Sequence, residues 1–130
     1  MIDLHCHFLP GVDDGAQTLD EALALARAAV ADGIRVAVLT PHVHPGRYAN
    51  CRRSLLPHFQ AFRAALADAG IALEIRLGGE VRLGVEALEL LLDDDIPFLG
   101  TLDGGRAMLL ELPHQTDRKS TRLNSSHRIR

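Results

Sequence analysis

Two hydrophobic periods take turns along the chain, and their alternation predicts strand, helix and strand in succession. Residues 2–7 read as a short buried strand that opens into a Pro/Gly/Asp loop. Thr18 and Glu21 have the spacing of a capping box, ahead of an alanine-rich helix whose apolar stripe is Leu19, Leu23, Ala26 and Val30. Gly33 is placed to end that helix as its C′ residue. Residues 34–40 read as a buried strand ending at Thr40-Pro41-His42, followed by a polar turn-rich loop through His44, Arg47 and Tyr48. A second helix runs into Ala69 with Leu55, Phe59, Phe62 and Leu66 on one face, and Gly70 closes it. Pro57 either kinks this helix or marks its first turn. Residues 71–77 alternate as a third strand ending at Gly78-Gly79-Glu80. Residues 85–92 form a short helix that the acidic turn Asp93-Asp94-Asp95 ends, and residues 107–110 a fourth strand leading to Glu111 and His114.

This order predicts an α/β fold with a parallel sheet and right-handed crossovers. Four strands cannot close a barrel, so the body reads as the first half of a larger one. Composition is ordinary for a globular domain, with 47% hydrophobic and 24% charged residues in a chain of 130. No apolar run is long enough to span a bilayer, and the start lacks the layout of a signal peptide, so a cytoplasmic location is expected. Cys6 and Cys51 form no CxxC pair, and neither leads a C-x5-R phosphatase loop, because Val12 and Pro57 stand where the arginine is needed.

Charge reveals a seam. Residues 117–130 hold five bases against one acid, whereas residues 1–116 carry nine bases and sixteen acids, a net of −7. Lys119 is the only lysine in the chain. The run 117–127 also resembles one reading frame of a common short-read sequencing adapter. The chain therefore divides into a domain over 1–116 and a non-native, disordered tail over 117–130. A basic nucleic-acid-binding tail is the alternative, and the acidic body gives it no support.

Side chains on a strand alternate faces, so His5 and His7 point one way, Leu4 and Cys6 the other. The remaining polar groups also gather after strand ends: His42, Glu80 and Glu111, with Asp14 in the first loop. In parallel barrels that edge is where active sites are built. Imidazoles and carboxylates without paired thiolates suit Mn²⁺, Zn²⁺ or Fe, and argue against a structural zinc knuckle. A cluster of such cations generates hydroxide near neutral pH and stabilises the attacking and leaving oxygens of a phosphoryl transfer. Asp13 reads as a turn residue, His44 and Arg47 as a solvated loop with a possible reach to phosphate, and His58 as surface.

The stretches Met1-Ile-Asp-Leu-His-Cys-His7, Val12-Asp-Asp-Gly15, Thr40-Pro-His42, Gly78-Gly-Glu80 and Leu110-Glu111 together carry a specific resemblance. The chain resembles the bacterial tyrosine-protein phosphatases of the PHP (polymerase and histidinol phosphatase) superfamily, which act in capsular and exopolysaccharide synthesis. The resemblance implies the N-terminal half of a distorted (β/α)₇ TIM-like barrel and up to three metal ions, usually manganese, with Fe, Zn or Mg as alternatives. It implies that His5 and His7 bind one metal, that Glu80 bridges to a second which Glu111 helps hold, and that Asp14 and His42 hold the third. The implied substrate is phosphotyrosine on the tail of a bacterial tyrosine autokinase, with no nucleic-acid partner and no membrane insertion.

The family's later histidine, its late Asp-x-His pair and its phosphate-binding arginines have no counterpart here beyond residue 114. A metal site short of ligands binds weakly, so this 130-residue chain is expected to be inactive or nearly so. Two other readings stay open: a histidinol-phosphate or other small phosphoester hydrolase of the same superfamily, and a non-catalytic metal-binding remnant.

Overall fold

Parallel strands joined through helices form the body of the molecule, seen in a computed structural model that describes residues 1–112. Strand β1 (Ile2–Cys6) pairs with β2 (Val36–Leu39), which pairs with β4 (Glu74–Leu77), all in parallel. A second parallel sheet sets β3 (His42–Val43) beside β5 (Glu80–Arg82), and β5 beside β8 (Leu109–Glu111). Helix α1 (Leu19–Ala31) joins β1 to β2, and α2 (Arg52–Asp68) joins β3 to β4. Helix α3 (Val85–Leu92) follows β5.

Two of the predicted strands are thus broken rather than continuous. Only Thr40 and Pro41 separate β2 from β3, and only Gly78 and Gly79 separate β4 from β5. Backbone bonds carry the pairing across the breaks: Thr40 N–H to the Cys6 carbonyl, Gly78 N–H to Leu39, and Glu80 N–H to Pro41. The composite order is β1, β2–β3, β4–β5, β8, which is chain order. Proline explains one break, because it gives the ladder no donor. Close packing explains the other: a Cβ on Gly78 would stand 2.5 Å from Leu99 Cδ2, and one on Gly79 would stand 2.6 Å from Pro97 Cγ. Among the described residues no barrel closes; the expected disordered tail and His114 lie outside them.

The hydrophobic pattern missed one hairpin. Strands β6 (Gly100–Leu102) and β7 (Gly105–Ala107) pair antiparallel around Asp103-Gly104, both with positive φ, as a two-residue hairpin turn requires. The predicted fourth strand at 107–110 is therefore displaced to Leu109–Glu111. The Asp-Gly dipeptide was the available signal, but the strands are too short to show alternation.

Helix α1 also corrects its predicted stripe. Ala22, Ala26 and Ala29 are its buried residues, Leu23 and Val30 are partly buried, and Leu19 is 46% exposed. The capping box is offset by one residue. Thr18 Oγ1 accepts from Glu21 N–H, but the Glu21 carboxylate accepts from Gln17 N–H instead of Thr18. Gly33 (φ +89°) ends α1 and Gly70 (φ +68°) ends α2, as expected of C′ residues.

Helix α2 buries Leu55, Phe59, Phe62 and Leu66, the predicted face. It begins at Arg52, so Pro57 lies inside it rather than in its first turn, and has no N–H to offer the Arg53 carbonyl. The start of α2 is held from a distance. Asp95 accepts Arg53 N–H on Oδ1 at 2.9 Å, and its carbonyl accepts Arg52 N–H at 2.9 Å. The acidic run does end α3, with Asp94 at φ +54°, but buried Asp95 also caps a second helix.

Burial would raise the Asp95 pKa; its hydrogen bonds near Cys51 and to Arg53, with the charges of Arg53 and Arg52, outweigh burial and lower it. Asp95→Ala is expected to cost about 1 kcal/mol at neutral pH, read from urea unfolding midpoints. A lowered folded pKa gives stability that is present above the ordinary value of 3.8 and lost as pH falls through the folded one. The gap between wild type and variant should therefore close in acid.

Candidate metal centre

Each predicted site residue leaves a strand end or the loop beside it. His5 lies on β1, and His7 two residues further on returns to the same side, with their Nε2 atoms 3.3 Å apart. His42 opens β3 and Glu80 opens β5, and the two are register partners. Glu111 ends β8. The Glu80 carboxylate faces two ways. Its Oε1 lies 2.7 Å from His5 Nε2 and 3.3 Å from His7 Nε2, while Oε2 lies 4.0 Å from His42 Nδ1. Glu111 Oε1 stands 3.7 Å from the same His42 Nδ1, and Asp14 Oδ1 stands 3.3 Å from His42 Nε2. Glu80 and Glu111 are buried; Asp14 is the exposed member.

Asp13 holds this arrangement in place. It forms the expected turn, accepting Gly15 N–H on Oδ1 at 2.9 Å. Its other oxygen does more, lying 2.8 Å from His7 Nδ1 and accepting His42 N–H at 3.0 Å. The side chain is buried, so these contacts replace its water. Burial disfavours its charge, but the bonds from His7, Gly15 and His42 outweigh that and lower its pKa. The sequence reading left Asp13 as a turn former; nothing in its spacing announced that two histidines converge on it. Asn50, also missed, ties the same loops by donating to the carbonyls of Val12 at 2.9 Å and His42 at 2.8 Å.

Gly15 explains why glycine follows the two aspartates. A Cβ there would collide with the carbonyl oxygen and Cβ of His7. The loop can fold against His7 only without a side chain at that point.

The electrostatics separate ligand-like groups from bystanders. Burial opposes a charged His7, but hydrogen bonds and charge from Asp13 and Glu80 outweigh it and raise the imidazole to about 9. Cys6 faces away, donates to the Val38 carbonyl at 3.3 Å, and is pushed up to about 12 by burial and the Asp3 charge. It is neither a thiolate ligand nor a nucleophile. His44 is lowered, first by burial and then by the Arg82 charge. His58 is exposed on α2, as expected.

Among the described residues three donor sets could each hold an ion: His5 with His7 and Glu80; His42 with Glu80 and Glu111; and His7 with Asp13, Asp14 and His42. Within each, the donor atoms lie within 4.8 Å of one another. All are imidazole nitrogens or carboxylate oxygens, so their chemistry fits Mn²⁺, Fe or Zn²⁺. Glu80 is common to the first two sets and His42 to the last two.

Gly15→Ala should destabilise the fold by about 1–3 kcal/mol, measured by denaturant midpoint, because backbone must move to admit the methyl group. Asp13→Ala should weaken divalent-metal affinity by about 10–100-fold, measured by titration calorimetry, through loss of His7 orientation.

Comparison with known proteins points the same way as this donor set. Residues 1–127 match the profile of the family described as capsular polysaccharide synthesis, CpsB/CapC. Tyrosine-protein phosphatase YwqE of Bacillus subtilis is 36% identical over 76% of this chain and 41% of its own length. Tyrosine-protein phosphatase CpsB of Streptococcus agalactiae is 32% identical over 92% of this chain and 48% of its own. The crystal structures of YwqE from B. subtilis and CpsB from Streptococcus pneumoniae, metal-dependent tyrosine phosphatases, include a chain that superposes with a TM-score of 0.76. That chain is 32% identical, over 95% of this chain and 49% of its own. The present chain spans about half the length of the curated relatives it matches. On the profile, the identity and the shared fold together, the chain belongs to the CpsB/CapC family of capsular polysaccharide synthesis.

Proposed function

We propose that the complete gene product is a metal-dependent protein-tyrosine phosphatase that regulates capsule or exopolysaccharide synthesis. It acts in the cytoplasm on the phosphotyrosine tail of a bacterial tyrosine autokinase. The observation that carries this reading is the two-sided Glu80 carboxylate, turned to His5 and His7 through one oxygen and toward His42 through the other. A carboxylate so placed can serve two cations at once. It lies just past the C-terminal end of β4 in the parallel β1-β2-β4 sheet, the edge at which a βα barrel builds its chemistry.

His5, His7 and Glu80 would hold one ion, Glu80, Glu111 and His42 a second, and Asp14 with His42 a third, with manganese the leading candidate. Bound divalent ions supply Lewis acidity toward phosphoryl oxygens and activate a water for in-line attack at phosphorus. Asp13 keeps the His7 ring oriented so that Nε2 faces the cluster. The Cys6 thiol has no part, so no covalent enzyme intermediate forms through it.

The described strands support the first half of a distorted (β/α)₇ barrel. Apart from the β6–β7 hairpin they run parallel in chain order, and β1 lies at a sheet edge with Ile2 61% and Leu4 44% exposed, a surface that further strands would cover. Leu4 and Cys6 share one side of the strand by alternation, yet only Cys6 is buried. Residues 117–130 are proposed to be the adapter-derived tail, and the 130-residue chain to have little activity without the remaining ligands.

Two experiments test the reading. Sequencing the source locus past the codon for Thr116 should find an open frame with further strands, a histidine, an Asp-x-His pair and arginines. The complete product, loaded with Mn²⁺, should hydrolyse a phosphotyrosine peptide and lose activity to a chelator. Glu80→Gln should lower kcat by more than the roughly 10–100-fold typical of residues that only support ligands. Turnover of histidinol phosphate in place of phosphotyrosine would move the protein to another PHP activity. A genomic stop just after Arg130 would leave a non-catalytic remnant.

A further inference from the structure

Arg82 lies two residues beyond Glu80 on the same face of β5, and His44 lies two residues beyond His42, just past the end of β3. These residues, with Arg47, Tyr48, Asp14 and Glu111, line a cleft of about 140 Å³ that opens directly from His42. Arg82 is mostly buried, at 15% side-chain exposure, with Nη1 4.0 Å from Glu111 Oε2. A guanidinium withdrawn from water in this way needs anionic company.

The opposite wall is a closed turn. Tyr48 N–H donates to the His44 carbonyl at 2.7 Å, Arg47 N–H donates to the same carbonyl at 2.9 Å, and His44 N–H donates to Tyr48 at 3.1 Å. Gly46, at φ +92°, lets the turn close. The Tyr48 ring stacks on His42 at 5.5 Å and 18°, and His42 stacks on His7 at 4.7 Å and 28°. The Arg47 guanidinium lies 5.4 Å from the Tyr48 ring centre.

We propose that this cleft is the subsite for an aryl phosphate monoester, with Arg47 and Arg82 binding phosphate oxygens and Tyr48 lying along the aryl ring. Guanidinium forks match phosphate oxygens in number and angle, and a flat ring fixed by stacking offers a second ring a face. The inference rests on the metal-dependent reading above, because Asp14 and Glu111 also face the cleft. Without cations their two negative charges cancel the two arginines. Once cations take up the carboxylate charge, the cleft is left positive, and phosphate and metal should favour each other's binding reciprocally.

The chain itself supplies the reporter. Tyr48 is its only tyrosine and it has no tryptophan, so intrinsic emission reports this wall alone. The 130-residue chain is titrated with orthophosphate and with phenyl phosphate, in saturating Mg²⁺ and in chelator, at constant ionic strength. Tyr48 emission and equilibrium dialysis of radiolabelled orthophosphate are followed together, and Mg²⁺ affinity is measured separately by calorimetry.

Wild type should bind orthophosphate more tightly with Mg²⁺ than without. Arg47→Gln and Arg82→Gln should each weaken binding by at least about 10-fold with Mg²⁺ affinity preserved. Arg82→Lys should restore part of the loss, and Tyr48→Leu should weaken phenyl phosphate more than orthophosphate by dialysis competition. Circular dichroism checks that each variant is folded; Arg47 is exposed, so its replacement leaves the core intact. Phosphate binding that is equal in wild type and both glutamine variants overturns the proposal. So does a wild type that binds Mg²⁺ but no phosphate, in which case the metal-dependent reading survives alone. A wild type that binds neither ion also overturns the proposal, while the metal-dependent reading is then decided by Mn²⁺-dependent hydrolysis with the complete product.

Discussion

One buried carboxylate sets the geometry on which the rest depends. Asp13 contacts the side chain of His7 and accepts the backbone N–H of His42, groups that come from two different strand ends. It also accepts Gly15 N–H from its own turn. A buried carboxylate left without donors would carry a desolvation cost of several kcal/mol, so the loop is stable only when both histidine segments are in place. Gly15 permits the approach and Asn50 fastens the far side of the same loop. The opening loop is thereby part of the site's frame.

The breaks in the second and third strands have the same logic. At Thr40-Pro41 and Gly78-Gly79 the ladder is interrupted, and the next residue to pair is in each case a candidate ligand, His42 or Glu80. Those two residues become register partners in the short second sheet, which brings imidazole and carboxylate to adjacent positions. Packing of Pro97 and Leu99 over the glycines leaves no room for side chains there. The loop that supplies Pro97 also supplies Asp95 to the start of α2, so one segment closes the glycine break and caps a helix.

The donor set draws on several strands at once, and the architecture says why. Parallel strands in chain order put all their C-terminal ends on one edge, so four successive strands bring four sets of polar side chains together. What the described residues do not enclose is equally visible. β1 is a sheet edge with exposed Ile2 and Leu4, and the outer face of α3 exposes Val85, Leu88 and Leu92. Exposed apolar surfaces and open sheet edges of this kind invite association.

Much of this was readable from residues in order. Period and punctuation located the helices, because Leu55, Phe59, Phe62 and Leu66 repeat at helical spacing and Gly33 and Gly70 stop what precedes them. The candidate ligands were singled out by residue type and by their place after strand ends, as with His42 after β2 and Glu80 after β4. The resemblance then fixed the family, which the comparisons bear out. Tertiary structure alone decided which face of α1 is buried, since Leu19 is the more apolar residue yet Ala22 is the one that packing buries. It also decided that Asp13 serves two histidines, that Asp95 caps a helix some forty residues earlier in the chain, and that Arg82 enters a cleft beside Glu111. Sequence determines local period and chemical type, which depend on near neighbours. Contacts between residues distant in the chain depend on how the elements stack, and no local pattern encodes that.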